Sequence, residues 1–327
     1  MMNSLSNRRA ALASAGLAML GVTLPPESKA SESTRPASDH CLNVRSFGAK
    51  GDGKTDDTRA FQTALDQAHA ARGGAVFVPP GRYLIASHLR VPSNVVLEGV
   101  FAAPPTTPWQ DGATGQPELA GSVLLAVEDA GKADGTPFIQ LDDNATLKGL
   151  VVFYPEQTDT DPPVAYPYTI SSSLPGADNC SVVDVLLINP YQAVDFGGRH
   201  TGRHYIRNLY GQPLYRGLYV DHCLDVGRVE NVHFWPFWSG SGGAAAFTRK
   251  EGKAFVIGRT DWQHLTACFC ISYETGFQFV RCAGSHPAYQ GGGNVMIVGG
   301  GADMCNRAVH VVELQGHSGT RFTNAQI

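Results

Sequence analysis

The chain has 327 residues, 43% of them apolar, with 25 basic and 29 acidic side chains and a formal net charge of −4. That length and apolar share support a sizeable core, while the mild acidity argues against nucleic acid or an anionic membrane as the main partner. The 37 glycines and 20 prolines exceed ordinary usage and point to many tight turns between short strands.

In chain order, the first feature is Ser6–Ala30. It opens on Arg8 and Arg9, continues through the small, apolar run Ala10–Leu24, and offers Ser28-Lys29-Ala30 as a small-x-small cleavage site. Its Ser-x-Arg-Arg-x-x-Leu pattern resembles a twin-arginine export signal. Residues 1–30 are therefore expected to be an export signal, 31–40 a flexible leader, and 41–327 the folded domain of a secreted or periplasmic protein. No membrane span is expected in the mature chain. The cysteines (Cys41, Cys180, Cys223, Cys268, Cys270, Cys282 and Cys305) are odd in number, so at least one thiol stays free. Cys268-Phe-Cys270 has the wrong gap for a Cys-x-x-Cys site, and burial as small core side chains is expected.

The folded part begins with Phe47-Gly48-Ala49 and the loop GAKGDGKTDD. Asp56 or Thr55 can cap a helix over Thr58–Ala71, with Phe61, Leu65 and Ala68 on one face. Gly73-Gly74 stops it. AVFVPPGRYLI then reads as strand, turn, strand, and LRVPSNVVLEGV repeats the logic. The loop lacks the Gly-x4-Gly-Lys spacing of a phosphate cradle. Asp52, Asp56 and Asp57 lack calcium-loop spacing, so turn and capping chemistry is expected there. FAAPPTTPWQDGATGQPELAG reads as a surface loop.

Beyond it lie repeats and no convincing helix. LKGL at 147, VVDV at 182, IRNL at 206, VENV at 229 and FTNA at 322 superpose, with Gly149, Asp184, Asn208, Asn231 and Asn324 in the same place. A second set, AVDF at 193, GLYV at 217, GFQF at 276 and AVHV at 308, runs alongside. A period near two dozen residues with several short strands per turn points to an all-β solenoid, a parallel β-helix. Asn and Asp suit its corners because they tolerate the left-handed conformation. An open end of such a stack needs a cover, and the Thr58–Ala71 helix suits the first coil. The closing GTRFTNAQI ends on a strand, so the expectation is that either a second subunit or a further domain covers the last coil, or the chain is a fragment.

The stretch Asn43–Ile85 resembles the opening of the pectate-lyase-like superfamily, which includes rhamnogalacturonases and phage tailspikes. The matching residues are Val44, Phe47-Gly48-Ala49, Gly51-Asp52-Gly53, Thr55 to Thr58, Phe61, Ala64-Leu65, Gly73-Gly74, Val76, Val78-Pro79, Gly81 and Tyr83. The resemblance is close over about Cys41–Gly99 and implies a right-handed parallel β-helix, with an N-terminal capping helix within 41–75, that acts on or binds polysaccharide. It does not specify the reaction. The GHG and RIK signatures of polygalacturonases and the Asp-Pro-His motif of alginate epimerases are missing from this sequence.

Such proteins hold sugar across one long face. Candidates there are Asp195 paired with Asp221 or Asp225, since glycoside hydrolysis needs two carboxyl groups about 5–9.5 Å apart and coils stack about 4.8 Å apart. If the reaction is instead elimination beside a uronate carboxylate, Arg199, Arg203 and His200 are the candidates, and calcium is the cofactor to expect. Hydrolysis implies no cofactor. Glu156, Tyr191, His222, Trp235 and Trp238 are candidate substrate contacts, the two tryptophans either stacking on sugar or folding into a satellite core. SGSGGAAAF after them reads as a flexible loop. The leading expectation is a carbohydrate-active enzyme on an acidic or branched polysaccharide, a hydrolase using paired carboxylates ahead of a lyase, and the alternative is a non-catalytic binding β-helix.

Overall fold

The computed structural model describes residues 41–106, 119–172, 177–197, 201–283, 291–316 and 319–327, all within the unit Asp39–Ile327. Among the described residues every strand pair is parallel, and the strands lie on three faces of the stacked coils. The first face runs from Cys41–Asn43 through Gly74–Phe77, Val95–Glu98 and Thr146–Lys148 to Thr320–Thr323. The second includes Asp52–Asp56, Gly81–Ile85, Ser122–Ala126 and Leu150–Phe153. The third includes Leu89–Val91, Ile139–Leu141, Tyr168–Ser171, Gln192–Phe196, Arg216–Val220, Lys253–Ile257, Thr275–Phe279 and Arg307–Val311. The parallel β-helix read from the repeats is the observed fold.

The repeats mark a corner. Gly149, Asp184, Asn208, Asn231 and Asn324 all have positive φ, between 49° and 68°. In Ser181–Leu187, Tyr205–Gly211 and Arg228–Phe234 the strand runs unbroken around that bend from the first face to the second. The side chains there form a ladder. Asn208 donates to Asp184 Oδ1 at 2.8 Å, and Asn231 donates to Asn208 Oδ1 at 2.9 Å. Each amide thus satisfies the next coil while its residue holds the left-handed turn.

Inside, stacked side chains fill the core. Ile139, Ile170, Val194, Leu218, Phe255, Phe277 and Val309 lie in register on the third face. Phe255 stacks on Phe277 at 4.9 Å and near Phe234 at 5.4 Å. Cys180, Cys223, Cys268 and Cys270 are fully buried in this core, as expected of small apolar side chains.

Helix α1 spans Thr58–Ala70 and buries Ala60, Phe61, Ala64, Leu65 and Ala68 against Cys41–Asn43, Gly74–Phe77, Leu89–Val91 and Val95–Glu98. The aspartates before it are spent on turns. Asp52 accepts from the Lys54 and Thr55 amides, Asp56 from the Thr58 amide, and Asp57 from the Lys50 and Gly51 amides. Part of the expected loop, Asp52–Asp56, is a strand paired with Gly81–Ile85. The main correction is a second helix, α2, Gly243–Glu251, where a flexible loop was expected. Its Ala244 amide and the Ser239 hydroxyl both donate to Asp159, at 2.9 and 2.7 Å. That partner lies far back in the chain, so no local pattern announces it.

Candidate functional site

The outward residues of the third face form a polar row in the middle of the stack. In register they are Gln140, Ser171, Asp195, Tyr219, Val256, Gln278 and His310. Three positions earlier, where each strand begins, runs a second row of Tyr168, Gln192, Arg216, Lys253, Thr275 and Arg307. Alternation puts Val194, Leu218, Phe255 and Phe277 in the core and turns Asp195, Tyr219, Val256 and Gln278 the other way. The strand-start row lies where the chain enters each strand, and parallel stacking repeats both placements coil after coil.

Asp195 is the half-buried acid of the first row, and its Oδ1 accepts the Gly197 amide at 2.9 Å. Its charge is felt by Tyr168 and Tyr219, whose hydroxyls are held well above the ordinary phenol range. Burial is the main cause for both, and the carboxylates add to it. The Arg216 guanidinium opposes the shift at Tyr168. That hydroxyl is buried and makes no hydrogen bond among the described residues. Beside this group lies an aromatic step. Tyr191 and Tyr215 stack at 5.1 Å with 22° between planes. Arg216 and Lys253, in register on neighbouring coils, approach the Tyr215 ring to 5.1 and 5.4 Å. Such cations are attracted to the ring face. Helix α2 brings Phe247 to 6.0 Å from Tyr191. Two half-buried cations, two stacked rings and an acid thus share one patch.

The other sequence candidates are placed differently. Asp221 follows the strand Arg216–Val220, is fully buried, and accepts four hydrogen bonds, from the amides of His222, Arg259 and Ala283 and from the Tyr219 hydroxyl. Asp225 is half-buried and bonded to the corner residue Arg203 at 2.9 Å. The Val226 amide and then Arg203 hold its carboxyl below the usual range. Arg203 itself continues a second corner ladder by donating to Asn179. His222 lies against Asp221 and Cys282. Glu156 is exposed after the second-face strand Leu150–Phe153. Trp235 and Trp238 pack against a satellite cluster of Val123, Leu125, Val151, Phe153, Leu186, Ile188 and Phe237 on the second face, so the satellite-core alternative describes them. Arg199 and His200 lie outside the described residues.

Sequence reading missed Tyr168, Tyr215, Arg216, Tyr219 and Lys253. GLYV was recognised as a repeat, but its flanking Tyr215-Arg216 was not carried into the site. KAFVI was not recognised, because the stretch Trp235–Gly252, which includes α2, breaks the spacing before it.

The architecture defines a β-helix with a polar and aromatic patch along one face. Residues 41–143 match the family model described as rhamnogalacturonase A/epimerase, pectate lyase-like, and the pectate-lyase-like resemblance read from Asn43–Ile85 stands. An alginate lyase of Azotobacter vinelandii is 50% identical over 64 residues, 17% of this chain and 8% of that protein. A mannuronan C5-epimerase of the same organism is 37% identical over 110 residues, 32% of this chain and 6% of that protein. Among solved structures, the tailspike of E. coli bacteriophage HK620 aligns with a TM-score of 0.56 at 12% identity, over 88% of this chain and 49% of that one. Gene product 12 of bacteriophage phi29 aligns with a TM-score of 0.56 at 16% identity, over 86% and 36%. These structural likenesses establish the fold. The chain spans less than a tenth of those two curated relatives' length. No helix among the described residues is long and apolar enough to cross a membrane.

Proposed function

We propose that this chain acts on an acidic polysaccharide laid across the third face, and that its reaction is proton abstraction beside a uronate carboxylate. The observation that carries this reading is the convergence of Arg216 and Lys253 on the Tyr215 ring, one coil apart, on the same face as Asp195 and three residues along the strands from it. Two cations on neighbouring coils offer partners for the carboxylates of a uronate chain, and Tyr191 with Tyr215 supplies a surface for a sugar ring. Pairing the substrate carboxylate with Arg216 stabilises the enolate that forms when the neighbouring proton leaves. Asp195 is the proton-transferring group of this scheme. The local matches to an alginate lyase and a mannuronan epimerase agree with an acidic substrate.

Hydrolysis by paired carboxylates fits the geometry less well. Asp221 is enclosed by four donors, and Asp225 is engaged with Arg203 at a corner. We further propose that the protein is exported under the direction of residues 1–30, which mass spectrometry of the mature chain would test.

The deciding assay offers the mature protein a panel of polyuronates and neutral glucans. It follows unsaturated-uronate absorbance, epimerisation by NMR and reducing-end release together, with and without calcium. Elimination or epimerisation on polyuronates alone is expected. Arg216→Ala should lower kcat by roughly 10²–10³-fold, the usual cost of one transition-state charge contact. Reducing ends without absorbance, unaffected by Arg216→Ala, would replace this reading by hydrolysis. Binding with no turnover on any substrate would replace it by recognition alone.

A further inference from the structure

At the end of the third face, one coil corner gathers three chemically different metal ligands. Asp221 and His222 follow the strand Arg216–Val220, and Cys282 follows Thr275–Phe279. One ligand atom from each lies within 4.8 Å of the other two. The His222 Nε2 is 3.4 Å from the Cys282 Sγ and 3.8 Å from Asp221 Oδ2. Zinc bonds of about 2.0–2.3 Å in a tetrahedral arrangement put ligand atoms roughly 3.3–3.7 Å apart. The three side chains are therefore close to a metal tripod before any ion is added.

Two further features support the arrangement. His222 is a non-glycine residue with φ of 52°, a conformation that costs about 1–2 kcal/mol, and it aims the ring at the buried thiol. The Asp221 carboxylate is held rigidly, with Oδ1 taken by the His222 and Arg259 amides at 2.8 and 2.7 Å. Its Oδ2 carries the Tyr219 hydroxyl and the Ala283 amide, both at 2.9 Å, and a metal would displace that hydroxyl. Outer-shell donors of this kind orient ligands and keep a site ready. A nucleophilic Cys–His–Asp relay fits less well. Cys282 is only 4% exposed, and 3.8 Å is too long for the Asp–His hydrogen bond that such a relay needs.

We propose that Asp221, His222 and Cys282 bind one divalent transition metal of the zinc class. Thiolate and imidazole select against calcium and magnesium, which take oxygen ligands. The His222 side chain is 14% exposed, so solvent reaches the corner and can complete the coordination. The bound ion would join two coils that the Lys253–Ile257 coil separates, at the end of the third face.

Cobalt(II) is the probe, because its thiolate complexes absorb in the near ultraviolet, where the protein alone does not. Titrating cobalt into the chelator-washed mature protein should give one equivalent of binding with a thiolate band, which zinc then displaces. Cys282→Ser should abolish the band. His222→Gln should weaken binding by at least the roughly 10- to 100-fold that losing even an outer-shell partner costs. Cys305→Ser, which changes the half-buried thiol elsewhere in the fold, should leave the band intact. Absence of a thiolate band in the parent protein overturns the proposal. So does a band that survives Cys282→Ser or disappears in Cys305→Ser. Circular dichroism shows which variants are folded, and if Cys282→Ser is not, the His222→Gln titration decides.

Discussion

Asn208 shows how much one residue does in this fold. It holds a left-handed bend at φ 56°, donates to Asp184 and accepts from Asn231. Asn208→Ala keeps the bend but loses the amide, and with it both ladder bonds and the local polar contacts that let asparagine tolerate this conformation. A loss of roughly 2–3 kcal/mol is expected, about 1 from each ladder bond and the rest from the less tolerant backbone. Asn208→Gly removes the strain and should lose less. Urea unfolding of both variants tests this, and equal losses would mean that strain contributes nothing. His204 is a second residue whose effect has a definite sign. It is buried against Phe196 and Cys223, and burial pulls its pKa from the ordinary 6.5 down to about 4. Between those values the unfolded chain binds a proton that the folded chain refuses. Its contribution is therefore complete above about pH 6.5 and declines as pH falls toward 4, by about 3 kcal/mol in total. His204→Gln should flatten stability across that window. An unchanged pH profile would show that His204 is not the group responsible. The corner asparagines were legible from the sequence because a left-handed bend restricts residue choice. His204 was not, because nothing local distinguishes a histidine enclosed by three coils from one on the surface.

At the scale of elements, legibility divides by the range of the stabilising contact. Helix α1 carries its own signals, an apolar face of Phe61, Leu65 and Ala68 closed by Gly73-Gly74. Helix α2 carries almost none, since glycines and alanines open it and Asp159 satisfies its first turn. The site suffered in the same way. Lys253 begins the strand just after α2, so reading SGSGGAAAF at 239–247 as a flexible loop concealed the coil that pairs Lys253 with Arg216. Asp159→Ala should cost about 1–2 kcal/mol, as the loss of a helix cap does. Hydrogen exchange should quicken across Gly243–Glu251 while the strand Gln192–Phe196 stays protected. Because α2 backs Tyr191 and Tyr215 through Phe247, the same variant should raise KM more than it lowers kcat. Equal exchange in both segments would mean that Asp159 supports the whole stack and not one helix.

Across the whole molecule, parallel coils bond only to the coils beside them, so stability is a sum of local terms and nearest-neighbour terms. The period of the repeats was visible because every coil faces the same demands: a bend, an inward apolar residue and an outward one. Which outward residues carry chemistry was not visible, since that depends on register between coils separated by insertions. The core predicts how the stack should fail. Phe255 lies between Phe234 and Phe277 in a continuous aromatic column and is fully buried. Phe255→Ala should cost about 3–5 kcal/mol through lost burial and the cavity left behind. In a globular core that loss would lower the stability of every element together. Here the coils beyond the cavity, Thr275–Phe279 and Arg307–Val311, can separate from those before it, because only the Lys253–Ile257 strand joins them on this face. Urea unfolding of the variant should therefore split into two transitions. Exchange protection should vanish first from Thr275 onward and persist through Ser181–Leu187. A single transition shifted to lower urea, with uniform loss of protection, would show that the coils are coupled more tightly than nearest-neighbour contact allows.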